Sequence, residues 1–205
     1  MLLTFEGLDS SGKSTQAQLL VDRLNQNGYR TLLLREPGGT PLSEHLRTLL
    51  LDRQHLAITP MSEFLMFSAS RAQLVESVIR PALDEGTIVI CDRFYDSSTV
   101  YQGWGRGLRL DEIQRINHVA TGGLVPDRTI ILDISIEEIL TRKIAAGYGT
   151  DRIENAGNLF YQKVREGYHA IAREEPTRII LINGLRPIEE IHKEIWHLVQ
   201  QLQGL

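Results

Sequence analysis

Gly7-Leu8-Asp9-Ser10-Ser11-Gly12-Lys13-Ser14, followed by Thr15, is the stretch that decides the fold. It fits the pattern of a glycine, four residues, then Gly-Lys and a hydroxyl residue. Glycines let the chain curl so that successive backbone N–H groups point at phosphate oxygens, and the helix that follows adds the positive end of its dipole. Lys13 brings a point charge to the outer phosphates, and Ser14 offers a hydroxyl to Mg2+. With average residue frequencies, such a string arises by chance in under about 1% of chains this long. Its flanks agree with it. Leu2–Glu6 before it reads as a strand, and Ala17, Leu20, Val21 and Leu24 after it share one helical face. Residues 7–15 are therefore read as a nucleotide-binding loop.

Further along the chain, Arg30–Arg35, Thr87–Cys91, Thr129–Ile134 and Arg178–Ile182 are also apolar runs without alternation. That pattern predicts strands covered on both faces. Helical periodicity places Ile136, Ile139, Leu140 and Ile144 on one face, and Ile188, Ile191, Ile195, Leu198, Val199 and Leu202 on another. Strand and helix in alternation imply an α/β fold, a parallel sheet with helices on both sides. Pro60 suits the start of a helix near Met61, and Pro81 is expected to kink or end it late. The glycine-rich stretch Gly147–Gly157 is the candidate for a flexible flap.

A length of 205 residues fits one domain, residues 1–205, carrying a short lid at about 143–157. Hydrophobic residues at 42% and charged residues at 23% are the balance of a soluble globular protein. The net charge of −4 argues against a nucleic-acid or membrane-surface partner, so positive charge for an anionic substrate must be local. The lone cysteine, Cys91, excludes an intramolecular disulfide and suggests a cytoplasmic protein; within its apolar run it reads as a core residue. No apolar run approaches the roughly 20 residues of a membrane span, and no signal peptide is expected.

The strand ending at Cys91 is followed by Asp92-Arg93. Ligands of such sheets sit at the carboxyl ends of strands, and an acid there suits Mg2+ or its water. The loop alone leaves a kinase, a hydrolytic switch and a motor or transport ATPase open. The guanine-reading string Asn-Lys-x-Asp is absent, and arginines near strand ends favour transfer to a second anion. A phosphate acceptor already carries a nucleophilic oxygen, so what it needs is charge cancellation, alignment and exclusion of water. Arg35, Arg71 and Arg93 are candidates around the acceptor; Arg142, Lys143 and Arg152 flank the flap.

Several strings carry a closer likeness: Phe5-Glu6-Gly7-Leu8-Asp9, Arg35-Glu36-Pro37-Gly38-Gly39-Thr40, Phe67-Ser68-Ala69-Ser70-Arg71-Ala72-Gln73, Asp92-Arg93-Phe94, Ser97-Ser98 with Tyr101-Gln102-Gly103, Pro126-Asp127, and Asp151-Arg152-Ile153-Glu154. Through them the chain resembles the thymidylate kinase family over nearly its whole length. The resemblance implies the P-loop NTPase three-layer fold on a five-stranded parallel sheet, Mg2+- and ATP-dependent conversion of dTMP to dTDP, and a homodimer. It also implies roles. Phe67 would stack on thymine and Arg71 would bond a thymine carbonyl. Gln102, Ser97 and Ser98 would complete the base pocket, and Tyr101 would crowd the sugar 2′ position. Asp9 would face the sugar or acceptor phosphate; Arg93, with Arg47 and Arg35, would hold that phosphate, with Pro37 beside the substrate. On the donor side stand the loop and Arg142, with Arg152 at the transferred group and Ser14 and Asp92 at the metal. The chain departs from the family at Leu74, often histidine, at the uncharged flap string Ala145-Ala146-Gly147-Tyr148-Gly149-Thr150, and at Asn183-Gly184. Alternatives are another deoxynucleotide or deoxynucleoside kinase, and a slow nucleotide switch.

Overall fold

The computed structural model describes residues 1–52, 57–146 and 157–203. Five parallel strands form one sheet: β1 (Leu2–Glu6), β2 (Thr31–Arg35), β3 (Ile88–Asp92), β4 (Arg128–Asp133) and β5 (Ile179–Asn183). Their order is β2-β3-β1-β4-β5, all in parallel register. The expected runs differ from these strands by a residue at some ends. At β3 the strand extends through Asp92, because Asp92 pairs with Phe5 on one side and Arg35 on the other. Neighbouring strands, not the composition of the run, set where pairing stops.

The apolar runs follow from cover on both faces. Leu3, Phe5, Ile88, Ile90, Ile130 and Leu132 face the helices α1 (Lys13–Gln26) and α9 (Ile188–Gln203), where they meet Ala17, Leu20, Leu24, Ile191, Ile195 and Trp196. The residues between them point the other way. Leu2, Val89 and Cys91 pack on Leu74, Val75, Ile79 and Phe94, and Ile131 packs on Val164, Tyr168 and Ile171. Cys91 is thus a core residue, as its run implies.

The helices begin and end for local reasons. Thr40 caps α2 (Pro41–Leu51) by accepting from the Ser43 N–H, and Thr59 caps α3 (Pro60–Leu74) by accepting from Ser62, each with proline at the first turn. The helix expected to kink or end late at Pro81 widens just before the proline and ends at Asp84. After α3 comes a π-helical turn, Val75–Ile79, and then α4 (Arg80–Asp84). The widened turn lies where a proline ring would otherwise meet the preceding carbonyl. A second π turn, Thr99–Gly105, extends α5 (Tyr95–Ser98), and α6 (Leu110–Thr121) follows. In α7 (Ile136–Ala146) only Ile136 and Ile139 of the predicted face are buried. Leu140 is exposed and Ile144 is 82% exposed, because no described element covers the last turns. α8 (Asn158–Glu174) buries Phe160, Tyr161, Val164 and Tyr168.

Sheet order positions the site. The chain leaves β1 at Glu6 and curls between the ends of β3 and β4, the crevice where ligands of such sheets bind.

Candidate active site

Gly7 has φ 132° and Gly12 φ 99°, in the region that L side chains rarely adopt. A Cβ at Gly7 would lie 2.5 Å from the Leu132 carbonyl oxygen, so only glycine lets the loop pass β4. Ser10 also has positive φ, 62°. Gly12 leads into α1 with no side-chain cap and no acid in the first turn, which leaves the helix's positive end for an anion. The Ser11 Oγ is buried without a partner among the described residues. A buried orphan hydroxyl in a glycine-bent loop at the start of a helix fits a phosphate ligand.

Lys13 is buried, and its Nζ donates to the Leu8 carbonyl at 2.8 Å. Burial, with the charge of Arg93, pulls its ammonium down to about 8, against Asp9, Asp92 and Glu6. A lysine held this way is ready to exchange a carbonyl for a phosphate. Ser14 Oγ donates to Asp92 Oδ2 at 2.5 Å, joining the start of α1 to the end of β3. Thr15 is exposed in the same turn. Arg142 reaches the loop from α7. It pairs with Glu138, donates to the Ser10 carbonyl at 3.2 Å and to the Gly184 carbonyl at 3.2 Å. It thereby ties the phosphate loop to the segment after β5, where Asn183 Oδ1 accepts from the Leu185 N–H.

Beside the loop opens a cleft lined by Asp9, Glu36, Pro37, Arg47, Leu51, Phe67, Arg71, Arg93, Phe94, Ser97, Ser98, Tyr101 and Gln102. Of the residues expected at the acceptor, Pro37, Arg47, Phe67, Arg71, Arg93, Ser97, Ser98, Tyr101 and Gln102 stand on this surface. Phe67 and Arg71 come from one face of α3, and Tyr101 and Gln102 from the second π turn, a distortion common at functional sites. Arg93 stands between cleft and loop. It has φ 72°, a strained value for a non-glycine residue. Its guanidinium donates to Asp9 Oδ1 at 2.5 Å, to the Gly7 carbonyl at 3.1 Å and to Ser97 Oγ at 3.1 Å.

Arg71 is more committed to the protein than a free donor fork. Its Nε meets Glu36 at 2.7 Å, Nη1 meets Asn117 Oδ1 at 3.3 Å, and Nη2 meets the Phe94 carbonyl at 3.3 Å and Ser98 Oγ at 3.1 Å. Burial pushes the Glu36 carboxyl up to about 7, opposed by Arg71. Gln102 donates to Glu63, which also pairs with Arg106. Arg35 is exposed, pairs with Glu44 and is absent from the cleft lining. Arg152 and most of the expected lid, residues 147–156, lie outside the described residues.

The sequence reading gave no role to Glu6, Glu36, Glu63 or Tyr168, though the first two lie within strings it quoted. Glu6 had a signal: an acid closing an apolar strand must find partners when buried. Tyr168 had none, because its spacing is that of an ordinary core stripe on α8.

A thymidylate kinase family model matches residues 5–195. The thymidylate kinase of Chlorobaculum parvum is 50% identical over 211 residues, covering 99% of this chain and 97% of that protein. That of Caldanaerobacter subterraneus is 47% identical over 199 residues, covering 97% and 94%. The crystal structure of thymidylate kinase from Ehrlichia chaffeensis aligns with a TM-score of 0.78 at 35% identity, covering 98% of each chain.

Proposed function

This chain belongs to the thymidylate kinase family, and from that membership we propose that its cleft seats dTMP with the 5′-phosphate at Arg93, facing ATP on the Gly7–Ser14 loop. The reaction is phosphorylation of dTMP to dTDP with ATP as donor. The observation that carries the arrangement is a single cleft lined both by Phe67 and Arg71 of α3 and by Asp9 of the loop with Arg93.

The phosphate monoester of dTMP, with a second pKa near 6, is largely dianionic at neutral pH and needs no general base. One of its oxygens forms a bond to the γ-phosphorus of ATP. The bond from that phosphorus to the β–γ bridging oxygen breaks, and ADP leaves with the electron pair. Arg93 offsets repulsion between the two anions, with Asp9 and the Gly7 carbonyl fixing its guanidinium. Arg47 lines the same cleft and adds positive charge toward the acceptor. Lys13 follows the charge on the transferred group. Arg142 steadies the loop at Ser10, and Phe67 offers its ring to the base.

Mg2+ is part of the proposal. The Ser14 hydroxyl and the Asp92 carboxylate, in contact at the mouth of the loop, are hard oxygen donors of the kind it takes beside phosphate oxygens and water. When bound, it neutralises charge between the outer phosphates. A homodimer is proposed as well, supported by exposed Leu42, Leu49 and Leu65 on α2 and α3, which pack together. Cytoplasmic residence is supported by the single buried thiol, Cys91. No helix among the described residues is long and apolar enough to cross a membrane.

The test is ADP release across a panel of nucleosides and nucleoside monophosphates, with Mg2+ present and withheld. Release that requires dTMP and metal supports the arrangement. Release that ignores the acceptor, or that thymidine elicits equally, overturns it. For Arg93→Ala we expect kcat/KM for dTMP to fall by about 10²-fold or more, as for loss of a preorganised charge at the reacting group. The KM for ATP should change far less. A dTMP KM and kcat like the wild type's would remove Arg93 from the acceptor phosphate.

A further inference from the structure

Glu6 is the last residue of β1 and is 0% exposed. Its backbone is fixed in the centre of the sheet, where Glu6 pairs with Ile131 and Phe5 with Asp92. The carboxylate faces away from solvent into the ground behind Arg93. Oε1 accepts the backbone N–H groups of Phe94 at 2.8 Å and Ser97 at 3.1 Å. Oε2 accepts the Ser97 hydroxyl at 2.5 Å and the Tyr168 hydroxyl at 2.7 Å. Burial pushes the Glu6 carboxyl up, and the Arg93 Nη1, 4.0 Å from Oε2 and beyond a direct hydrogen bond, opposes that by favouring the ionised form.

The two hydroxyls stand between the charges. Arg93 Nη1 is 3.1 Å from Ser97 Oγ and 3.5 Å from Tyr168 Oη. A hydroxyl has one proton to give. Once that proton is given to a carboxylate, which offers acceptors only, the oxygen turns its lone pairs to Arg93. An amide in place of the carboxylate would bring N–H donors, and the hydroxyl protons would swing toward the guanidinium. The main chain is held by the same group: the Phe94 N–H that Glu6 takes follows directly on the left-handed Arg93.

We propose that Glu6 is a positioning residue for the transfer: through the Ser97 and Tyr168 hydroxyls and the Phe94 amide it holds the Arg93 guanidinium where the acceptor phosphate arrives. This rests on Arg93 being the acceptor-phosphate anchor. Tyr168 enters from α8, more than a hundred and fifty residues away in the chain, so the relay also locks that helix to the acceptor site.

The experiment compares calorimetric affinities for dTMP and for thymidine, which lacks the phosphate, in the wild type, Glu6→Gln, Tyr168→Phe and Arg93→Ala. The gap between the two ligands is the phosphate's contribution. In Arg93→Ala most of that gap should vanish; if it persists, the anchor reading itself fails. In Glu6→Gln, dTMP affinity should fall by about tenfold, the scale of one charge-assisted hydrogen bond, while thymidine and ATP affinities stay within about twofold. The KM for dTMP should rise with that of ATP unmoved. Tyr168→Phe should lose dTMP affinity in the same sense by a smaller factor. The proposal is overturned if Arg93→Ala closes the gap while Glu6→Gln leaves it at the wild-type size, or if Glu6→Gln weakens thymidine and ATP as much as dTMP. Should Glu6→Gln fail to fold, Tyr168→Phe decides by the same comparison.

Discussion

Lys13→Ala is expected to lower kcat by about 10²–10³-fold or more, the range for removing one preorganised donor at developing charge. The argument starts from burial. Lys13 is enclosed by the loop it belongs to, its Nζ fixed on the Leu8 carbonyl, and alanine leaves no cation within the curl. Binding should suffer less than turnover, because the loop amides and the start of α1 still hold phosphate. The titration of Lys13 gives a second readout. In the free protein its ammonium is pulled down to about 8 from an ordinary 10.5. Between those values the unfolded chain keeps a proton that the folded chain has released, so this group's contribution to stability improves as pH rises through that window. Below it, the buried charge is a cost. A bound triphosphate reverses the balance by raising the ammonium again. Donor binding above about pH 8 should therefore take up a proton, measured by calorimetry in buffers of different ionisation heat. The uptake should be missing in Lys13→Ala. Near-normal kcat in the variant, or unchanged proton uptake, would place the reacting charge elsewhere.

The parts of the site that were legible in the sequence are those built from near neighbours. The phosphate loop is eight consecutive residues whose glycines, lysine and serine act through their own backbone, so spacing alone carries it. The strands were legible because Ile88 and Ile90 face one helical layer while Val89 and Cys91 face the other, which leaves no polar position between. Ends were less legible. Asp92 joins β3 through pairing with Phe5 and Arg35, and pairing is a property of the sheet. Arg35 illustrates the same limit. It closes a strand in a telling string, yet β2 is an edge strand and β3 stands between it and the loop, so its side chain meets Glu44 at the surface. Strand order is not written in any short window. Glu6 and Tyr168 were illegible as a pair for that reason too: the contact spans most of the chain. The family likeness named Arg71 for the base, but not the carboxylate that would share it.

That carboxylate makes Arg71→Ala foremost a stability variant. The side chains of Arg71 and Glu36 are 2% and 3% exposed, and their contact is 2.7 Å. Removing one partner of such a pair leaves the other buried and uncompensated, which costs about 3–5 kcal/mol. For a domain of this size that is roughly 6–20 °C in Tm. Asn117, Ser98 and the Phe94 carbonyl each lose a donor at the same time. The pH dependence has a definite sign. Burial already pushes the Glu36 carboxyl up to about 7 from 4.5, and without the guanidinium it rises further. A carboxyl raised in the folded state binds a proton the unfolded chain has lost, so its stabilising share declines as pH rises through the folded value. In the wild type that decline is complete above about 7; in Arg71→Ala it continues. The stability deficit, read from urea unfolding, should therefore widen as pH rises above neutrality. Adding Glu36→Gln should narrow it there, because an amide has no charge to strand. The KM for dTMP should rise as well, since Arg71 lines the cleft. A deficit that is small, or equal at every pH and untouched by Glu36→Gln, would mean that the pair does not act as a buried clamp and that Arg71 belongs to the ligand alone.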